Sequence, residues 1–123
     1  MNRYAIITPD NIVVEECETL PDGEAIHDLI GNYFDCVSMN MRDGSVLVAY
    51  VDDMGHLHGL PMNAWASSIF ARPLAGTAIM FSATSPQGEY DGENYPLNDL
   101  HVFMLRNMMD LVDMRPTPMT EEG

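Results

Sequence analysis

Lysine is absent from this chain of 123 residues, whose only basic residues besides histidine are five arginines. Nineteen acidic residues stand against them and give a formal net charge of −14 at pH 7. Nucleic acids and anionic membranes are bound through basic surfaces, so the composition argues against direct contact with either. Solubility is one explanation of such a charge, and attraction to a protein partner with a basic surface is the alternative.

Long apolar runs are also missing. No stretch reaches the roughly 18 apolar residues that a membrane-spanning helix needs. The first ten residues contain one arginine and a short apolar run before Pro9, which predicts a strand rather than a signal peptide. We therefore expect a cytoplasmic protein. Cys17 and Cys36 have neither C-x-x-C nor zinc spacing, which predicts two small buried side chains without a disulfide.

The sequence signatures of common enzyme classes are absent as well. There is no G-x-S-x-G elbow, no phosphate-binding loop and no G-x-G-x-x-G. The segment EYDGEN, residues 89–94, alternates oxygen-bearing side chains but lacks the twelve-residue calcium loop with its final glutamate. We predict a protein that is not an enzyme and that needs no cofactor.

Periodicity predicts one α+β domain over residues 1–114 and a disordered acidic tail over 115–123. A mainly antiparallel sheet of about six strands packs with two or three helices. The strands are expected at 3–9, 12–17, 34–41, 45–53, 56–61 and 76–83, and a polar loop at 84–96. Asp22 or Gly23 can cap a short helix that Gly31-Asn32 can end, and a second helix covers 64–71. A long last helix covers 97–114 with an inward face of Leu100, Phe103, Met104, Met108, Leu111 and Val112.

The segment HGLPMNAWASSIFARPLAGTAIMF, residues 58–81, has the densest local pattern. Pro61 ends a strand, Asn63 caps a helix and Gly76 permits a turn, so backbone roles account for the motif. As an alternative, Asn63 and the helix start behind it form a small anion or nucleotide pocket with Arg72 or Arg106 at its edge.

Two further features are candidate sites. His56 and His58 lie two apart and would share one face of a strand, so both could reach one metal ion. Their spacing does not select a third ligand, which could be Asp52, Asp53, Cys36 or His101. A metal-dependent enzyme is therefore a second alternative.

Exposed carboxylates are the candidate partner-binding residues. We assign this role to Glu89, Asp91, Glu93, Asp110 and Asp113. The last helix is also rich in methionine, for which core packing is the common explanation. As an alternative, outward methionines would form an adaptable surface for a homodimer or another partner. Arg106 can pair with Asp110 one helical turn later.

Residues 26–81 resemble an uncharacterised domain family of bacteriophages, plasmids and bacteria. The resemblance rests on the apolar strand 46–51, the acidic turn 52–55, the motif Gly59-Leu60-Pro61-x-Asn63-x-x-Ala66 and the strand 76–81. The family has no established activity to carry over, so the resemblance implies only an origin in a mobile element. Charge and resemblance together predict a small accessory protein in the host cytoplasm that binds a host macromolecule, for example as an inhibitor or a DNA mimic. The alternative is a sponge for a signalling nucleotide.

Overall fold

The computed structural model contains six strands and three helices. It describes residues 1–31, 34–53 and 58–113, and for residues 109–113 it describes the backbone alone. The elements are β1 (Asn2–Ile7), β2 (Ile12–Cys17), α1 (Gly23–Ile30), β3 (Phe34–Asn40), β4 (Val46–Asp52), α2 (Ala64–Phe70), β5 (Ala78–Thr84), β6 (Tyr90–Tyr95) and α3 (Asp99–Asp113). The predicted α+β class with an antiparallel sheet is confirmed.

The sheet is built around β5. Its strand order is β2-β1-β5-β4-β3, and every pairing is antiparallel. β1 pairs with the first half of β5, over residues 78–80, and β6 pairs with its second half at Ser82 and Thr84. β5 is buried along almost its whole length, which explains why its sequence, AIMFSAT, is apolar on both faces.

One predicted strand was wrong and one was missed. Residues 58–61 form a turn rather than a strand, and residues 56 and 57 lie outside the described residues. β6 forms instead where a surface loop was expected. Its sequence, YDGENY, has no apolar alternation, so the pattern carries no strand signal. It pairs because the second half of β5 has backbone groups that need partners, and because a tight turn closed by Ser85 and Glu89 brings the chain back.

The main hydrophobic core lies between one face of the sheet and the helices α2 and α3. From α2 it receives Ala66, Ile69 and Phe70, and from α3 Val102 and Leu105. The other face is covered by α1, whose Ile26 is buried in a second cluster.

Helix α3 is rotated relative to the prediction. Leu100 and Phe103, expected to face inward, are 45% and 63% exposed, whereas His101, Val102 and Leu105 are buried. The rotation follows from the helix start, because His101 is held by hydrogen bonds on the inner side. At 15 residues α3 is the longest helix described, yet it spans only about four turns, so the expectation of a long helix was wrong.

The two cysteines are not buried as predicted. Cys17 is partly exposed and Cys36 is exposed, and both are free thiols. Each lies on an outer strand, β2 or β3, where a side chain has neighbours on one flank only. The predicted acidic tail, residues 115–123, lies outside the part of the chain that the structure describes.

Candidate functional site

The acidic side chains lie almost entirely on the surface. Among the acidic residues whose side chains the structure describes, all are exposed except Asp52, which is partly buried. Glu89, Asp91 and Glu93 project from β6 and the turn before it, and we call these three the β6 acidic strip. Asp110 and Asp113 belong to α3, but their side chains are outside the description. Three of the five predicted partner residues are thus placed together on one exposed segment.

Hydrogen bonds hold the β6 acidic strip in place. The hydroxyl of Tyr95 donates to Asp91 Oδ2 at 2.5 Å, and the Glu93 amide donates to Asp91 Oδ1 at 3.1 Å. The Tyr95 hydrogen bond lowers the pKa of Asp91 and raises the pKa of Tyr95 to about 12. Asp91 therefore stays ionised through the physiological range. Tyr50 also donates to the Asn94 side chain at 3.0 Å, which ties β6 to β4.

A second acidic surface was missed at the sequence level. Glu15 and Glu16 are exposed on β2 and Glu18 follows directly, and we call these three the β2 acidic edge. β2 is an outer strand of the sheet. Charged residues on outer strands discourage pairing with another chain, and this protective role applies to β2 and also to β6, which pairs with β5 alone in the described residues. The adjacent glutamates in VVEEC were the available signal.

Little of this negative charge is compensated within the protein. Within the described ranges, the one ion pair between an arginine and a carboxylate joins Arg3 to Asp99 at 2.7 Å. Arg3 also donates to the Leu97 carbonyl oxygen at 3.3 Å. Arg42 and Arg106 are exposed and make no ion pair with a carboxylate whose position is described. The predicted pair of Arg106 with Asp110 falls on a side chain outside the description.

Asn63 performs the structural role that its motif predicts. It is fully buried, its Oδ1 accepts from the Ala66 amide at 3.0 Å, and its Nδ2 donates to the carbonyl oxygens of Ile7 and Gly76, both at 2.8 Å. The amide caps α2 and joins it to β1. Both amide hydrogens and the oxygen are used by the fold, so Asn63 has no hydrogen-bond donor left to offer a ligand.

The predicted nucleotide pocket is not assembled from its three residues. Arg72 lines a cavity of about 350 Å³ together with Asp35, Asp52 and Asp53. Three carboxylates beside one guanidinium make that cavity unfavourable for a phosphate group. Arg106 lies on α3, on none of the cavity walls that the structure describes. The cavities of the described residues offer no cationic pocket for a nucleotide, and the signalling-nucleotide alternative stays a prediction.

Of the two histidines in the predicted metal site, only His58 lies within the described residues. His56 lies outside the described residues, whereas the Nδ1 atom of exposed His58 is 3.1 Å from Asp52 Oδ2. Within the described ranges no three histidine, cysteine or acidic side chains are grouped closely enough to hold a metal ion. Two of the suggested third ligands, Cys36 and His101, lie on β3 and α3, and His101 has other partners. The metal hypothesis stays untested because one of its two histidines is not described.

A serine, a histidine and an aspartate meet at the end of the sheet where α3 begins. Ser45 Oγ is 2.8 Å from His101 Nε2, and Ser45 donates to Asp43 Oδ1 at 2.5 Å. Ser45 is 8% exposed and His101 is fully buried. The hydrogen bonds from Ser45 lower the pKa of Asp43, which is therefore an ionised acceptor. These residue types also occur in hydrolase triads, so the direction of the hydrogen bonds decides what the group can do.

The tautomer of His101 follows from its other nitrogen. The backbone amide of Asn98 donates to His101 Nδ1 at 3.1 Å, and the His101 amide donates to Asn98 Oδ1 at 2.8 Å. This reciprocal pair is a capping box at the start of α3, with histidine in the place usually taken by glutamate or glutamine. Because Nδ1 accepts a hydrogen bond, the proton of the neutral ring is on Nε2 and points to Ser45.

This direction is the reverse of the one that nucleophilic catalysis needs. In a hydrolase the histidine accepts the serine proton, whereas here His101 donates to Ser45 and Ser45 donates to Asp43. The chain of hydrogen bonds anchors α3 to the turn between β3 and β4. Beside it lies a cavity of about 530 Å³ whose lining combines polar side chains such as Asp43 and Ser82 with apolar ones such as Pro96 and Leu97. Sequence reasoning missed this cluster because His101 lies 56 positions after Ser45.

Comparisons with models of known protein families, with curated proteins and with solved structures find no match to this chain. The resemblance to a mobile-element family therefore stays a prediction. No described helix combines the length and the apolar character that crossing a bilayer requires.

Proposed function

We propose that this chain is a small accessory protein that binds a basic surface of a host macromolecule in the host cytoplasm, and that the β6 acidic strip is its main contact. The observation that carries the proposal is the exposed and uncompensated negative charge. The net charge is −14, and a single arginine–carboxylate ion pair occurs in the described residues.

Physical chemistry favours this function over the competing classes. Like charges on one small protein repel one another, so contact with a cationic surface lowers the electrostatic free energy of both partners. Direct binding of nucleic acid is disfavoured for the same reason. Catalysis by Ser45 is disfavoured by the direction of the hydrogen bonds around His101. A non-enzymatic inhibitor is the function that these features support together.

The β6 acidic strip is favoured over the other carboxylates because it is ordered and accessible. Asp91 is held by two hydrogen bonds, so its ionised side chain is already oriented before binding. Preorganisation reduces the entropy cost of association. Lysine and arginine side chains that bind DNA phosphates can also bind carboxylates. We therefore propose, more specifically, that the chain competes with DNA for its partner.

Competition for a DNA-binding protein tests this function. Protamine, an arginine-rich DNA-binding protein, is bound to labelled duplex DNA, and the chain is added while fluorescence anisotropy is recorded at low and high salt. We expect displacement of the DNA at low salt and its loss at high salt, because exposed charges are screened. Absence of displacement at low salt, at any concentration of the chain, overturns the proposed function.

Two triple variants of equal charge locate the contact. One replaces Glu89→Gln, Asp91→Asn and Glu93→Gln, and the control replaces Glu15→Gln, Glu16→Gln and Glu18→Gln. Both remove three negative charges from exposed positions. We expect the first to weaken displacement more than the second. Equal weakening shows that total charge matters and that the assignment to β6 is wrong.

A further inference from the structure

A cavity of about 300 Å³ with five apolar lining residues opens between the end of α1 and the loop before α2. Its apolar walls are Leu29 and Ile30 from α1, Leu60 and Pro61 from the loop, and Pro9 from the turn after β1. Small-molecule sites usually measure about 300 to 1,000 Å³, so this volume is at the lower limit. It suits a single large side chain better than a cofactor.

Several large apolar side chains remain exposed around this cavity. Leu29 is 51% exposed and Leu60 is 36% exposed, and Met62, directly after Pro61, is 52% exposed. Leu29 belongs to neither hydrophobic cluster of the core. An exposed apolar group of this kind is typical of a surface that another molecule covers.

The wall formed by Leu60 and Pro61 is built into the fold. Gly76 has a φ of +82°, and a Cβ added there would lie 2.8 Å from Leu60 Cδ1. The Gly76 amide donates to the Pro61 carbonyl oxygen at 2.8 Å, and buried Asn63 donates to the Gly76 carbonyl oxygen at 2.8 Å. The loop is therefore held against the sheet, and the cavity exists before any partner binds.

The charge beside the cavity is negative. Asp52 is the one charged residue among the described lining residues, and its Oδ2 atom is 3.1 Å from His58 Nδ1. Asp10 and Asp28, which adjoin the lining residues Pro9 and Leu29 in the sequence, are exposed. On a protein with a net charge of −14, a cavity with apolar walls and no basic lining residue is complementary to an apolar side chain flanked by lysine or arginine.

We propose that this cavity binds an apolar anchor side chain from a basic segment of the partner protein. The inference rests on the proposed function and adds a second contact to it. Carboxylates steer the basic partner to this protein, and the cavity selects among basic segments by their apolar residue. Highly charged segments without such a residue bind more weakly.

Two designed peptides and a matched pair of variants test the cavity. One peptide places leucine and lysine at helical spacing, and the other replaces each leucine by serine at the same charge. The variants are Leu29→Gln in α1 and the control Leu100→Gln in α3. Both leucines are helical and about half exposed, at 51% and 45%. Leu60→Gln provides a second change at the cavity, and circular dichroism checks that each variant folds.

We expect the leucine–lysine peptide to bind the unmodified chain and the Leu100→Gln control equally. Leu29→Gln and Leu60→Gln should each lower the affinity for this peptide about tenfold, which is typical when one interface anchor is truncated. The serine–lysine peptide should bind all four proteins with the same lower affinity, because it reports charge alone.

Other outcomes overturn the inference in distinguishable ways. If both peptides bind at low salt but Leu29→Gln behaves like Leu100→Gln, the cavity is not a contact and the proposed function stands. If neither peptide binds, both proposals fail. If sedimentation shows a dimer that Leu29→Gln dissociates, the occupant is a second copy of this chain, and the partner anchor is wrong.

Discussion

Protonation of His101 should weaken the fold in a defined pH window. The ring is fully buried, and its Nδ1 atom accepts the Asn98 amide at 3.1 Å. A second ring proton would sit on Nδ1 and face that amide hydrogen, so the capping box would lose a hydrogen bond and two donors would repel each other. Burial lowers the pKa of His101 below its ordinary value of 6.5; Asp43 opposes this shift and Arg3 adds to it.

The size of the effect follows from proton linkage. About one pH unit or more above the ordinary pKa of 6.5, the ring is neutral in both the folded and the unfolded chain, so the contribution to stability is complete. As the pH falls through 6.5, the His101 ring becomes protonated in the unfolded chain but stays neutral in the folded chain, because burial lowers its pKa there. The free energy of unfolding then decreases by about 1.4 kcal/mol per pH unit until the lowered pKa of the folded state is reached, where the loss ends.

Urea unfolding across a pH series, compared with the variant His101→Gln, isolates this effect. Glutamine is an ordinary residue at the third helical position of a capping box and keeps an acceptor for the Asn98 amide. It does not titrate. The other histidines and the carboxylates are common to both proteins, so they cancel in the difference. We expect the difference in unfolding free energy to change between pH 6.5 and lower values and to be constant above pH 7.5.

Two results would refute the reasoning. The first is an unchanged difference between the two proteins across the whole series. The second comes from nitrogen-15 NMR of the imidazole ring, where a titration midpoint at or above 6.5, or a neutral ring with its proton on Nδ1, would contradict the assigned hydrogen bonds. The expected spectrum shows the Nε2–H form of His101.

Three further predictions concern stability. Asn63→Ala should lower the free energy of unfolding by about 3 kcal/mol in urea titrations, because the carbonyls of Ile7 and Gly76 lose their donor and α2 loses its cap. A decrease below the roughly 1 kcal/mol that is typical of losing a helix cap alone would contradict this prediction. Gly76→Ala should lower the free energy of unfolding by about 1 to 3 kcal/mol more than Gly88→Ala, because both glycines have positive φ but only a Cβ at position 76 would clash with Leu60. Equal decreases would show that the Leu60 side chain moves away without strain. Added sodium chloride should raise the melting temperature in calorimetry, because it screens the net charge of −14; a decrease would show that ion pairs outweigh repulsion.

Local signals predicted where α1 and α2 begin and where α1 ends. Asp22 caps α1 and Asn63 caps α2, each through its side-chain oxygen, and Gly31 ends α1 with a φ of +125°. Such features depend on neighbours within four positions, so they can be read from sequence. The same holds for β4 and β5, whose continuous apolar runs indicate strands buried on both faces.

Predictions failed where a distant element sets the outcome. The inward face of α3 depends on His101, whose partner Ser45 lies 56 positions earlier, and periodicity alone placed Leu100 and Phe103 inside. β6 exists because β5 offers it an unpaired edge, although its own residues are polar. For the site, charge predicted the exposed carboxylates of β6, whereas the cavity beside Leu29 joins three segments that share no motif.

The sequence by itself determined the strong negative charge, the α+β class, the caps of α1 and α2 and the exposure of the β6 carboxylates, because composition and short-range hydrogen bonding govern these features. Only the tertiary structure decided the rotation of α3, the presence of β6, the direction of the hydrogen bonds around His101 and the cavity beside Leu60. Those depend on which backbone and side-chain groups meet across the sheet, and packing between segments far apart in the chain selects among arrangements that are locally equivalent.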